Sequence, residues 1–256
     1  MISPSFGLRN HGYQTLLDDP TTRALFKGAM QTLFDVAKIN VPGSGAAGCD
    51  DMLAWFRTLG FLDDPEFVHA MQPYAEDKTL LGRLWRIYTL CWAARSCMAL
   101  PGSYVDLGAY DGRTVDVMRR YCEFDTADKQ WWLYDAYDHH PAGRNKNRHG
   151  PELASQVATL FPDKDHYWIM AGLLPDLLMA QPQEIAFMQV DLNHAETEVA
   201  CLERLWPRVV PGGIVILDDY GAAEHRRSYE LEKAFFEQRG QSVLELPTSQ
   251  GMVVKR

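Results

Sequence analysis

No apolar stretch in this 256-residue chain reaches the roughly 20 residues needed to span a bilayer. The nearest, over residues 87–100, is interrupted by Arg95, so no helical membrane anchor is expected. A basic excess is missing too: 25 Lys and Arg stand against 34 Asp and Glu, a formal net charge of -9. Displacing counterions from phosphates calls for a positive footprint, so nucleic acid is excluded as the expected partner. The five cysteines, Cys49, Cys91, Cys97, Cys122 and Cys201, are scattered, odd in number and without a C-x-x-C pair. That argues against a zinc site or a disulfide framework and predicts reduced thiols in a cytoplasmic protein. The opening MISPSFGLRNHGYQ has neither a basic segment nor a long apolar one, so a secretory signal is not expected. What is present is ordinary globular composition, 46% hydrophobic and 23% charged. At about 150 residues per domain, the length suits one large domain or one with an appendage.

Two regimes follow one another along the chain. Up to about residue 100 apolar residues recur at three and four, which predicts helices over 22–37, 50–59, 65–71 and 78–98. Asp50 and Asp77 stand where helix N-caps belong, and the glycine-rich 41–48 reads as a loop. From Gly102 on, short apolar runs alternate with helical stretches: strands are expected at 104–107, 131–135, 167–170, 185–191 and 214–217, with helices at 113–121, 151–160, 174–180, 196–206 and 226–239 between and after them. Such alternation makes a parallel sheet with helices on both faces. Two last strands, 243–246 and 252–255, are joined too closely for a helical crossover and predict an antiparallel hairpin. The fold class is therefore α/β, doubly wound and Rossmann-like, with a helical extension over 1–77 and the main domain over 78–256.

The sharpest local signal is Tyr104-Val-Asp-Leu-Gly-Ala-Tyr-Asp-Gly-Arg-Thr114, a strand that turns directly into a helix through Gly108 and Gly112. Glycines there let the backbone turn tightly and approach a ligand, with helix N–H groups directed at it. A dinucleotide fingerprint needs G-x-G-x-x-G, and Tyr110 occupies the place of its second glycine, which weakens an NAD reading. Asp135 ends the next strand about 20 residues later, where a carboxylate accepts hydrogen bonds from ribose hydroxyls. Together these features favour a nucleoside ligand.

Strands 185–191 and 214–217 both run into carboxylates, Asp191 on one and Asp218-Asp219 on the other. If the strands are neighbours, the three acids share the carboxyl edge of the sheet, where open α/β folds bind ligands. Clustered carboxylates repel unless a cation lies between them, and an all-oxygen set suits Mg²⁺, Ca²⁺ or Mn²⁺ better than zinc. The alternative is a plain loop start with Asp191 at the cofactor.

The glycine loop resembles motif I of class I S-adenosylmethionine (SAM) methyltransferases. Gln189-Val-Asp191, Leu205-Trp-Pro-Arg-Val-Val-Pro-Gly-Gly213 and Ile214-Val-Ile-Leu-Asp-Asp-Tyr-Gly221 resemble the macrocin O-methyltransferase (TylF-like) family. The likeness covers roughly residues 78–256, and it implies SAM as cofactor, Mg²⁺ (or Mn²⁺) as metal and methylation of a hydroxyl on a sugar or glycosylated metabolite. By the same resemblance Asp106, Gly108, Ala109, Tyr110, Gly112, Asp135 and Asp191 would hold SAM, with Asp106 facing the methionine ammonium. Asp191, Asp218 and Asp219 would be the metal ligands, and Asp191 also the base. The sequence departs from the family where Asn193 and Ala195 replace an Asp and a Tyr, which affects substrate contacts. His194 is either a second candidate base or a helix cap. Two alternatives stay open: a metal-free SAM enzyme of the FkbM-like kind, and a catalytically silent SAM-binding subunit. A basic segment carrying Arg144, Lys146 and Arg148 is either a phosphate contact or a solvated loop. The first helices either cover the cleft or make a homodimer contact, and Gly108→Val is expected to abolish SAM binding while leaving the fold largely intact.

Overall fold

The five parallel strands are apolar nearly end to end, as strands are when helices cover both faces of a sheet. The computed structural model describes residues 20–40, 45–50, 52–137, 150 and 152–256. It divides into two units at Thr89–Leu90. The first contains α1 (Pro20–Asn40), an antiparallel pair β1 (Gly45–Cys49) and β2 (Met52–Arg57), α2 (Pro65–Met71) and α3 (Lys78–Leu81). The division falls within α4 (Leu84–Ser96).

Several sequence expectations for the first unit are corrected by the structure. Residues 52–57 form a strand, not part of a helix over 50–59, and its partner is 45–49, all but the last of which fall in the expected loop. Five apolar residues after a turn, Met52 to Phe56, fit either period, and pairing decided the outcome. Asp50, expected to cap a helix beginning at its own position, lies in the hairpin turn with φ 56°. Its carboxylate instead accepts the N–H groups of Trp85 (3.1 Å) and Arg86 (3.2 Å), at the start of α4. Asp77 caps α3 as expected, accepting from Thr79 and Leu80. The helix expected over 78–98 is two helices, because the chain breaks at Gly82.

In the second unit β3 (Ser103–Leu107), β4 (Trp131–Asp135), β5 (Tyr167–Ala171), β6 (Ile185–Val190) and β7 (Val209–Leu217) are parallel, and β8 (Leu244–Glu245) and β9 (Gly251–Val254) form the antiparallel hairpin. The order is β5-β4-β3-β6-β7-β9-β8. α5 (Arg113–Cys122), α6 (Leu153–Leu160), α7 (Ala195–Leu205) and α8 (Arg226–Glu237) complete the alternation, while the helix expected at 174–180 is a single 3-10 turn, Asp176–Met179. One face of the sheet packs Val105, Leu107, Met188, Val190, Val215 and Leu217 against Leu202 and Leu205 of α7 and Phe235 and Phe236 of α8. On the other, Tyr104, Trp131 and Phe187 pack with Phe124 through tilted and edge-on ring contacts. No helix among the described residues is long and apolar enough to cross a membrane.

Candidate active site

The chain leaves β3 for β4 and β5 on one side, then returns to place β6 on the other. Crossovers that diverge in this way leave a crevice at the carboxyl ends of the two central strands. Gly108 and Asp191 follow those ends. The Asp191 N–H donates to Leu107 O at 2.8 Å, and a Cβ on Gly108 would lie 1.9 Å from Asp191 O. With φ at +97°, this position admits only glycine. The expectation for Gly108→Val is therefore corrected: the side chain would strike the Asp191 backbone before it met any ligand, so the fold would not be spared. Gly112, at φ +74°, precedes the first turn of α5, and a Cβ there would come 2.8 Å from the Phe161 ring.

Tyr110, where a dinucleotide fold has glycine, retains the left-handed backbone at φ 47°. Its N–H donates to Asp135 Oδ2 at 2.9 Å, and Asp135 Oδ1 accepts from the Tyr137 N–H at 2.8 Å. Asp135 thus ties the end of β4 to the glycine loop, and Ala109 is fastened beside it through its N–H to Tyr134 O. Asp106 lies one residue below the loop on β3 and is 2% exposed. Burial, then Asp135 and Asp218, push its carboxyl up to about 8. Asp106 Oδ1, Gln189 Oε1 in the adjoining register position of β6, and the Tyr137 hydroxyl are all buried and have no hydrogen-bond partner among the described residues. Leaving a buried polar atom unsatisfied costs about 1–3 kcal/mol. A polar ligand lying on this loop is what such a set of atoms fits.

Across the crevice, Asp191, Asp218 and Asp219 each offer a carboxylate oxygen, and these atoms lie within 4.8 Å of one another. Asp218 is buried, and Gln250 Nε2 donates to its Oδ1 at 3.4 Å while Thr248 Oγ1 donates to Gln250 Oε1 at 2.8 Å. Asn193, at φ 56°, donates from Nδ2 to Asp191 Oδ1 at 3.0 Å. Asn193, expected as a departure from the pattern the sequence resembles, is therefore a donor that orients Asp191. His194 is the N-cap of α7: its Nδ1 lies 3.4 Å from the Thr197 N–H it accepts and 2.9 Å from Thr197 Oγ1. His225 Nε2 stands 3.6 Å from Asp219 Oδ2. An all-oxygen set of this compactness suits a hard divalent cation. Sequence reasoning missed Gln250, Thr248, Tyr137 and His225, whose partners are remote in sequence or unremarkable in type. Arg144, Lys146 and Arg148 lie outside the described residues.

The model of the family described as macrocin-O-methyltransferase (TylF) matches residues 72–240. The chain is 28% identical over 187 residues to 8-demethyl-8-(2,3-dimethoxy-alpha-L-rhamnosyl)-tetracenomycin-C 4'-O-methyltransferase of Streptomyces olivaceus, covering 60% of this chain and 71% of that one. It is 23% identical over 192 residues to mycinamicin III 3''-O-methyltransferase of Micromonospora griseorubida, covering 64% and 75%. Among solved structures it resembles the O-methyltransferase NovP (TM-score 0.55, 19% identity, 66% of this chain and 79% of that one). It also resembles CalS11, a TDP-rhamnose 3'-O-methyltransferase (TM-score 0.56, 15% identity, 93% and 96%). These last two likenesses establish the fold.

Proposed function

Because the chain belongs to the macrocin O-methyltransferase (TylF) family and is a SAM-dependent O-methyltransferase, we propose that it methylates a sugar hydroxyl of a glycosylated small molecule with a divalent cation, Mg²⁺ or Mn²⁺, at Asp191, Asp218 and Asp219. The observation that carries the metal is the convergence of these three carboxylates on the crevice edge beside Gly108. The sugar is supported by two relatives whose names place the transferred methyl at 4' and 3'' positions. The family match beginning at residue 72 supports an extension over 1–77 and a methyltransferase domain over 78–256.

Bound SAM supplies an electrophilic sulfonium methyl, and a bound divalent cation supplies the charge that lowers the pKa of a coordinated hydroxyl. The chain's residues do the rest. Gly108, Ala109, Tyr110 and Gly112 shape the floor on which the cofactor lies. Asp106 would face the cofactor's ammonium, and Asp135, which accepts the Tyr110 and Tyr137 N–H groups, would face its ribose hydroxyls. An isolated carboxylate, of pKa about 4, is too weak a base for an alcohol. Asp191 would be the base for a hydroxyl made more acidic in this way, and Asn193 holds its carboxylate in place. His194 spends Nδ1 on the α7 cap, which leaves Asp191 the better placed base. Positioning of oxygen against methyl carries much of the rate.

Transfer of labelled methyl from SAM to a panel of glycosylated small molecules, rhamnosides included, tests the acceptor class. Label is expected on the sugar and absent from the corresponding aglycones. Methylation of aglycones alone would overturn the assignment.

A further inference from the structure

We propose that His225 is a positioning residue that holds Asp219 for the cation, an inference that rests on the metal reading above. The backbone after β7 winds back on itself: the Ala222 N–H donates to Asp219 O at 3.1 Å, and the His225 N–H donates to Ala222 O at 3.0 Å. Two successive turns of this kind bring the residue six places on from Asp219 back over its side chain. The loop is pinned from outside as well, by the Gly221 N–H on Ser249 O at 2.8 Å. As a result the imidazole Nε2 lies 3.6 Å from Asp219 Oδ2, with both side chains three-quarters or more shielded from solvent.

Each of the other two carboxylates of the cluster has a neutral donor from its own surroundings, Asn193 for Asp191 and Gln250 for Asp218. His225 completes the pattern at the third. A carboxylate has two oxygens, so Asp219 could give one to a cation while Oδ2 faces the imidazole Nε2, whose 3.6 Å separation closes to a hydrogen bond with a shift of a few tenths of an ångström. Ligating carboxylates are commonly held in this manner by outer groups, and removing such a partner typically costs 10–100-fold in metal affinity. The role needs an N–H donor at this place and nothing else from the ring.

Mn²⁺ alone is the probe, titrated into the full-length protein and followed by the EPR signal of the free aqua ion. His225→Ala is expected to weaken Mn²⁺ binding roughly 10–100-fold. His225→Gln, which restores an N–H donor, is expected to recover most of that loss. Calorimetric binding of S-adenosylhomocysteine, unchanged in both variants, shows that the fold and the cofactor side are intact. Wild-type affinity in His225→Ala, alongside loss of binding in Asp219→Ala, would overturn the proposal. Equal weakening in the Ala and Gln variants would also overturn it, because the imidazole would then be serving as something other than a donor. Absence of Mn²⁺ binding by the wild-type protein would instead remove the metal reading, and this inference with it.

Discussion

Burial, reinforced by Asp135 and Asp218, holds the Asp106 carboxyl up at about 8 against an ordinary value of 3.8. Between those values the folded chain binds a proton that the unfolded chain has released. Stability of the ligand-free protein therefore falls as pH rises from about 4 to 8, by on the order of 1 kcal/mol per pH unit from this group within the window. Asp106→Asn removes the term, so thermal melts at several pH values should show a shallower decline than in the wild type. Parallel declines would contradict the assignment. Glu232, also raised by burial, acts with the same sign and remains in both proteins, so it cancels from the comparison. A cationic ammonium set beside Asp106 would favour the ionised form. SAM binding is accordingly expected to release a proton below pH 8 and to tighten as pH rises toward 8, measured by calorimetry in buffers of different ionisation heat. Asp106→Asn should abolish the proton release.

At the level of elements, much of the second unit was legible because its strands and helices have clean periods and its turns carry Gly, Pro or Asp. The hairpin β1–β2 was not: Gly45-Ala-Ala-Gly-Cys49 has little strand preference of its own and is a strand because β2 lies beside it. Asp50 was noticed as a cap but given to the wrong helix, since its partners Trp85 and Arg86 are some 35 residues away in sequence. Asp50→Ala is expected to cost about 1–2 kcal/mol in denaturant unfolding, and Asp50→Asn clearly less, because Asn keeps an acceptor and tolerates φ 56°. Gly108→Ala should be the harsher change. The left-handed backbone alone costs about 1–2 kcal/mol, and the collision with Asp191 O adds to it. The variant is expected to lose stability, SAM binding and Mn²⁺ binding together. Gly112→Ala should be milder, because the Phe161 ring edge it meets is side chain and can give way. Equal stability of Gly108→Ala and the wild type would contradict the close approach of β3 and β6.

For the molecule as a whole, the site is an outcome of strand order. Asp106, Gly108 and Asp135 could be singled out in the sequence because they share one β-α-β passage. Asp191 and Asp218-Asp219 could be paired because each ends an apolar run. What sequence could not supply was the set of neighbours that hold these acids: Gln250 reaches Asp218 from the β8–β9 hairpin, and His225 reaches Asp219 through a loop that folds back. Asn193 was visible only as a departure from the family, and the structure gives it a donor's task at Asp191. The proposed function puts a cation at Asp191, Asp218 and Asp219. Methyl transfer from labelled SAM to a glycosylated acceptor, run with EDTA and then with Mg²⁺ in excess, addresses that placement most directly. Transfer should stop in EDTA, return with Mg²⁺ or Mn²⁺, and fall at least about 100-fold in Asp191→Asn even with Mg²⁺ restored, because that variant lacks the carboxylate proposed both to bind the cation and to accept the proton. Undiminished transfer in EDTA, with Asp191→Asn, Asp218→Asn and Asp219→Asn still turning over at the wild-type rate, would contradict it.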